Sequence, residues 1–315
     1  MYTGPIIDAH QHFWEPDINP HPWLAKDAQI PFRYGDYNAI KRRYLPPDYL
    51  ADAARHRIVA SVYIDAEWDP SDPIGETQYI HQVAQKYGFP NAVVAQAWLH
   101  HDNAEELLAA QAQWPLVRSV RHKPGGAITP DEAKSGVRSL MSDERWRQGF
   151  DLLKKHNLHF DLQTPWWHLD EAAILARDFP ETQIILNHTG LPADRSVEGL
   201  TAWRKAIEKV AQYENVAVKI SGLGQEKIPW NVENNRQIVL DTIAIFGAER
   251  AMFASNFPVD SLCVKLDVLW QGFKIMVKDL TARHQNALFY ENARRIYNIN
   301  VEYPFIAPVT LKEKL

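Results

Sequence analysis

The sequence predicts an α/β protein folded as a closed (β/α)8 TIM barrel with a long aromatic loop after its first strand. Three observations lead there: eight short β-branched runs, amphipathic stretches between them, and no Gly-x-Gly-x-x-Gly turn after the first run. The missing turn argues against a doubly wound open sheet, where that motif cradles a dinucleotide. At 315 residues the chain is long for one domain and short for two, and it suits a barrel of about 250 residues with insertions.

The strands are read in order as PIIDAHQH (5–12), IVASVYID (58–65), AVVAQAW (92–98), VRSVRHK (117–123), LHFDLQ (158–163), QIILNH (183–188), VAVKIS (216–221) and RAMFASN (250–256). They are short and largely apolar, as strands covered outside by helices tend to be. Between them the helical stretches are 74–88, 103–114, 142–157, 169–179, 198–213 and 233–247. Asp or Ser precedes several of these, with acidic residues in the first turn, and 142–157 ends in Lys154, Lys155 and His156, which suit a helix C-terminus.

Two segments stand outside the repeat. Residues 13–47 are rich in aromatics and proline, and a connection that long inside a compact domain is usually functional. Residues 301–315 lack helical periodicity and are read as a tail or arm, onto the barrel or onto a second copy in a homo-oligomer. Residues 1–300 are then the catalytic domain.

Composition narrows the function. A net charge of −5 and a pI near 6.2 give no basis for binding nucleic acid or a membrane surface. The partner expected is a small-molecule substrate. Cys263 is the single cysteine, so no intrachain disulfide forms. No apolar run approaches the roughly 18 residues of a spanning helix, and the N-terminus carries no leader pattern, so a cytoplasmic protein is expected.

In such a barrel, chemistry sits at the C-terminal ends of the strands. Those ends carry His10 and His12, Asp65 and Glu67, Trp98 and His100, and Arg121, His122 and Lys123. They continue with Asp161 and Gln163, Asn187 and His188, Lys219 and Ser221, and Asn256 with Asp260 just beyond. His10 and His12 share a strand face at about 6.5–7 Å between α-carbons, close enough to share an ion or a water. His188, on another strand, converges on them. Trp14, Trp98 and Trp166 offer flat apolar faces for a substrate, whereas Trp23 is read as fixing the loop to the barrel.

The runs DAHQHFW, RSVRHK, LNHTG, VKISGL and MFASNFPV resemble the amidohydrolase-related branch of the amidohydrolase superfamily, in its lactonase-like group. The resemblance covers about residues 5–298 and implies a (β/α)8 fold with hydrolysis at the barrel mouth. It implies a divalent, zinc-like metal on His10, His12 and His188, although some lactonase-like relatives work without one, and both readings stand here. Two positions depart from the pattern: Gln163 replaces a ligand histidine, and Asn256 replaces the Asp that serves as ligand or base. A carboxamide is neutral and is no useful base. Asp260, His188 and the pair Asp65 and Glu67 are the alternative bases.

The reading that follows is a hydrolase that opens a lactone, either a sugar lactone or a carboxylated cyclic ester. His10, His12, Arg121, His188, Asn256 and Asp260 form its catalytic set. Trp14, Glu67, Trp98, Lys123, Gln163 and Trp166 bind substrate. Arg121 is expected to anchor a carboxylate or carbonyl, with an ion pair to Asp65 or Glu67 as the alternative. Without a metal, a protonated His10 or His12, titrating near its usual pKa, would help stabilise the oxyanion. The competing readings are a decarboxylase of an unsaturated or aromatic acid and a binding barrel that has lost its chemistry.

Overall fold

Strands and helices alternate along the described chain, residues 1–53 and 55–301 of the computed structural model. The first half runs β1 (Ile6–Gln11), α1 (Pro46–Asp52), β2 (Ile58–Ile64), α2 (Pro73–Tyr87), β3 (Ala92–Gln96), α3 (Ala104–Ala112), β4 (Val117–Arg121), α4 (Pro130–Lys134) and α5 (Glu144–Lys155). The second half runs β5 (His159–Leu162), α6 (Leu169–Asp178), β6 (Ile184–Leu186), α7 (Val197–Ala211), β7 (Val216–Ile220), α8 (Val232–Phe246), β8 (Ala251–Phe253), α9 (Leu266–Met276), α10 (Ala282–Asn286) and α11 (Asn292–Ile296).

The eight strands lie side by side in chain order with parallel pairings throughout, which is the predicted barrel. It closes just past the strand ends. The Asn256 N–H donates to the His10 carbonyl and the His12 N–H to the Phe257 carbonyl, both at 2.7 Å. The predicted runs overshoot the strands at their C-terminal ends, as in 117–123 against Val117–Arg121. In that run Arg121 and Lys123 line the barrel mouth, while His122 Nδ1 accepts from the Leu99 N–H and the Trp146 indole N–H. The predicted tail lies outside the described residues from 302 onward.

Helix α5 shows how the outer layer is held. Trp146, Phe150 and Leu153 recur at helical spacing on the buried side. The Asp143 side chain accepts from the Trp146 N–H at 2.8 Å as N-cap, and Lys154 and Lys155 close the other end. Gly149 is required here, because a Cβ would lie 1.8 Å from the Leu99 carbonyl oxygen.

The floor of the barrel is plugged by the last helices. Tyr290, Ala293, Ile296 and Tyr297 join Ile7, Val62, Val94, Ile185, Ala217 and Met252 in one buried cluster. Within it Lys219 Nζ meets Asp161 Oδ1 at 2.5 Å, both side chains fully buried, and the Tyr297 hydroxyl donates to the same carboxylate at 3.0 Å. Lys219 is therefore an interior ion pair. Among the described residues no helix is long and apolar enough to cross a membrane.

Candidate active site at the barrel mouth

A slip in register aims the first histidine. Between Asp8 and Gln11 the pairing of β1 with β2 shifts, so three steps on β1 face two on β2. Asp8 turns toward α1 and β8, accepting from the Tyr49 hydroxyl at 2.8 Å and the Ser255 N–H at 2.8 Å. His10 turns to the mouth, where its ring centre lies 4.6 Å from that of His188 and 5.1 Å from that of His12. The three predicted histidines are thus brought together.

Each ring is held differently. His12 Nδ1 lies 2.8 Å from the Ile64 carbonyl oxygen, which can only accept, so that nitrogen carries the proton and Nε2 the lone pair. His188 Nδ1 shares a 2.8 Å hydrogen bond with Ser221 Oγ. Both His10 nitrogens are buried without a hydrogen-bond partner. Burial, then the neighbouring positive and imidazole groups, keeps the protons off: His10 and His188 titrate well below the usual histidine range, and His12 is pushed down to about 3. The expected protonated histidine with an ordinary pKa is corrected accordingly. These are neutral imidazoles.

Backbone strain gathers at the same rim. Glu67, His188 and Asn256 take left-handed φ angles of 57°, 55° and 56°, which non-glycine residues rarely adopt. The histidine in the LNHTG run reaches the mouth because β6 ends in this kink rather than a straight extension.

Arg121 supplies the positive charge. Its Nε donates to Asp65 Oδ1 at 2.6 Å, Nη2 to the Asp65 carbonyl at 2.5 Å, and Nη1 to Gln163 Oε1 at 2.9 Å. Burial works against the charge, but Asp65 outweighs it and holds the pKa above the usual arginine value. Three of the five guanidinium N–H groups are thereby used, and two remain. Lys123 pairs with Glu67 at 2.6 Å on the outer rim. These groups line a cavity of about 240 Å³ together with His12, Trp23, Phe32, Arg33, Gln163, His188 and Asn256.

Other expected residues stand elsewhere. Asp260 is buried behind Asn256, accepting from the Asn256 amide at 2.6 Å and the Tyr34 hydroxyl at 2.9 Å, and it does not border this cavity. Trp14 is fully buried, its indole N–H shared between the Ile40 and Arg42 carbonyls at 3.1 Å, with its ring 5.9 Å from His12. Trp98 borders a small adjoining cleft with Arg121 and Lys123, and Trp166 borders an outer cavity beside α7. Trp23 both stacks on Phe32 and lines the mouth. Arg33 was not anticipated. Its only signal in the sequence is its place within the aromatic loop.

As their side chains stand, the described residues form no complete divalent-metal centre. Among the described residues, no group of three His, Cys, Asp or Glu side chains is arranged to hold an ion. His10 offers free nitrogens, but Gln163 is engaged by Arg121 and Asn256 by Asp260, so neither of those strand ends supplies a ligand.

Comparison with known proteins agrees with this architecture. A family model described as amidohydrolase matches residues 7–299. An uncharacterized protein, y4mH, from Sinorhizobium fredii is 41% identical over 296 residues, covering 93% of this chain and 98% of its own. An L-fucono-1,5-lactonase from Burkholderia ambifaria is 29% identical over 260 residues, covering 81% of each. Among solved structures, an amidohydrolase from Burkholderia multivorans superposes with TM-score 0.78 at 23% identity with HEPES bound, and 0.77 at 22% with zinc bound. Each alignment covers 94% of this chain and all of that one.

Proposed function

The chain belongs to the amidohydrolase family, and from that premise we propose that it hydrolyses lactones at the barrel mouth. The observation that carries the reading is the neutral His10, His12 and His188 cluster set against a buried, charged Arg121. A base and an oxyanion partner face one small cavity. The likeness to L-fucono-1,5-lactonases supports a cyclic ester as substrate.

In the proposed mechanism, a water molecule is held by the unprotonated imidazole nitrogens. Its oxygen attacks the lactone carbonyl carbon while His188 or His12, the two histidines that line the cavity, takes its proton. The carbonyl oxygen becomes negative and is met by the two free Arg121 N–H groups, a kind of contact typically worth about 3–4 kcal/mol. The ring C–O bond then breaks, and the imidazolium returns the proton to the departing alkoxide, leaving a hydroxy acid. Burial favours this return, because the imidazole is restored to its preferred neutral state.

Divalent metals are typical of the family, and zinc is bound in the Burkholderia multivorans neighbour. The donor set described above does not fit such an ion, so no step is routed through one. The test is a panel of sugar and pyrone lactones, read by proton release with and without a chelator. Turnover that survives the chelator is expected. No turnover on any lactone would reject the reading, and turnover that needs added zinc would reject its metal-free form.

A further inference from the structure

Beside the mouth, on the far side of Arg33, lies a second cavity of about 330 Å³. Arg33 borders both spaces, and its guanidinium lies 3.8 Å from Asp260, too far for a direct hydrogen bond. Gly222 stands at the same partition. A Cβ there would meet His188 Nδ1 at 2.7 Å and Arg33 Nη2 at 2.9 Å, so the chain passes between the catalytic histidine and the second cavity without a side chain.

The walls of this space are largely apolar, drawn from Tyr34, Trp167, Leu191 and Ile228. Against them sits one arginine with unmet donors. Arg195 Nη2 donates to the Leu223 carbonyl at 3.1 Å, while its Nε and Nη1 are buried with no partner. Burial lowers its pKa to about 10, which leaves it charged at neutral pH. The acidic residue of the rim, Glu226, is taken by Lys227 at 2.9 Å and does not neutralise Arg195. A largely buried guanidinium beside apolar walls, with two of its three nitrogens unpartnered, is a costly arrangement unless an anion completes it.

We propose that this cavity is a subsite for a carboxylate carried on an apolar body, with Arg195 as its counter-ion. Resting on the lactonase reading, it assigns the substrate class: cyclic esters whose ring bears an apolar arm ending in an acid. The ring lies at the mouth, the arm passes Arg33, and the acid meets Arg195. Selectivity for such substrates is then a difference between paired and unpaired charge.

The experiment is calorimetric binding of 4-phenylbutyrate, with 4-phenylbutan-1-ol as the uncharged control, to the full-length protein. The acid is expected to bind with 1:1 stoichiometry, to weaken at least tenfold in Arg195→Gln, and to bind more tightly than the alcohol only when Arg195 is present. Ile228→Trp, which fills the cavity from its rim, is expected to abolish binding of the acid with Arg195 intact, and serves if Arg195→Gln does not fold. Equal affinity of wild type and Arg195→Gln for the acid, or no binding to wild type, overturns the subsite. Turnover of δ-valerolactone, which has no arm, is expected to be unchanged in Arg195→Gln. Its absence in wild type counts against the hydrolase reading alone, since the binding result does not depend on it.

Discussion

The Asn256 amide donates to Asp260 Oδ1 at 2.6 Å, so the carboxylate expected at the end of β8 stands one turn further on and behind a carboxamide. The Tyr34 hydroxyl completes that oxygen's coordination at 2.9 Å, and Oδ2 is buried without a partner. Burial raises the pKa of Asp260, and its surroundings keep it away from the mouth cavity. Asp260 is thus placed to orient Asn256 rather than to take a proton from water. Asp260→Ala is expected to lower kcat about 10–100-fold, the value of one hydrogen bond to a charged group, and Asp260→Asn to restore most of it. A roughly 10⁴-fold loss in folded Asp260→Asn would instead make Asp260 the base.

The neutral histidines set a pH signature. With His10 and His188 held well below 6.5 and His12 near 3, kcat/KM should stay flat from pH 8 to about 5 and show no step at 6.5. Stability should behave differently. Below pH 6.5 the unfolded chain binds protons that the folded rings refuse, so stability is present above 6.5 and falls as the pH drops below it. Each histidine contributes about 1.4 kcal/mol per pH unit. Asp8, Glu76 and Asp260 oppose them, since burial raises their pKa values and they gain stability as pH falls, but His21, His56 and His122, each lowered to about 4 by burial, add to the histidine side. Urea midpoints at pH 7.5, 6 and 5 should decline in that order; a rise would contradict the assignment.

Much of the barrel was legible because strand covering and helix amphipathicity are local, periodic properties. The eight runs and the six internal helical stretches correspond to strands and helices within a few residues. The short α4 escaped because five residues cannot display a period, although Thr129 before Pro130 is a cap signal. The site was legible in residue type and less so in position. His10, His12, Arg121, Gln163, His188 and Asn256 follow from strand ends meeting at one mouth. Arg33 and the burial of Trp14 do not, because where a loop folds back depends on contacts remote in sequence. The neutrality of the histidines also escaped, since a pKa belongs to the surroundings and not to the residue.

The floor of the barrel offers a stability test independent of activity. Lys219 and Asp161 are fully buried, and the carboxylate also accepts from Ser119, Asn187 and Tyr297. Removing one member leaves a buried charge unpaired, which costs about 3–5 kcal/mol. Lys219→Met is expected to lower the melting temperature by roughly 5–15 °C. The double variant with Asp161→Asn should recover part of that loss, because the uncompensated charge is gone. Equal melting of Lys219→Met and wild type would show that the pair adds nothing to stability.

Arg121 tests the chemistry most directly. One guanidinium bridges the Asp65 carboxylate, the Asp65 carbonyl and Gln163, and still has two N–H groups for the developing oxyanion. A lysine ammonium has three donors on a flexible stem and cannot keep those contacts while facing the substrate. Arg121→Lys therefore preserves charge and loses geometry. If the residue acts on the transition state, kcat should fall about 10²–10³-fold while KM stays within a few-fold, the usual consequence of losing an oxyanion donor. If Arg121 only anchors substrate in the ground state, KM should rise and kcat should hold. Steady-state kinetics of Arg121→Lys on whichever lactone the panel identifies separates the two, and a preserved kcat would remove Arg121 from the oxyanion role.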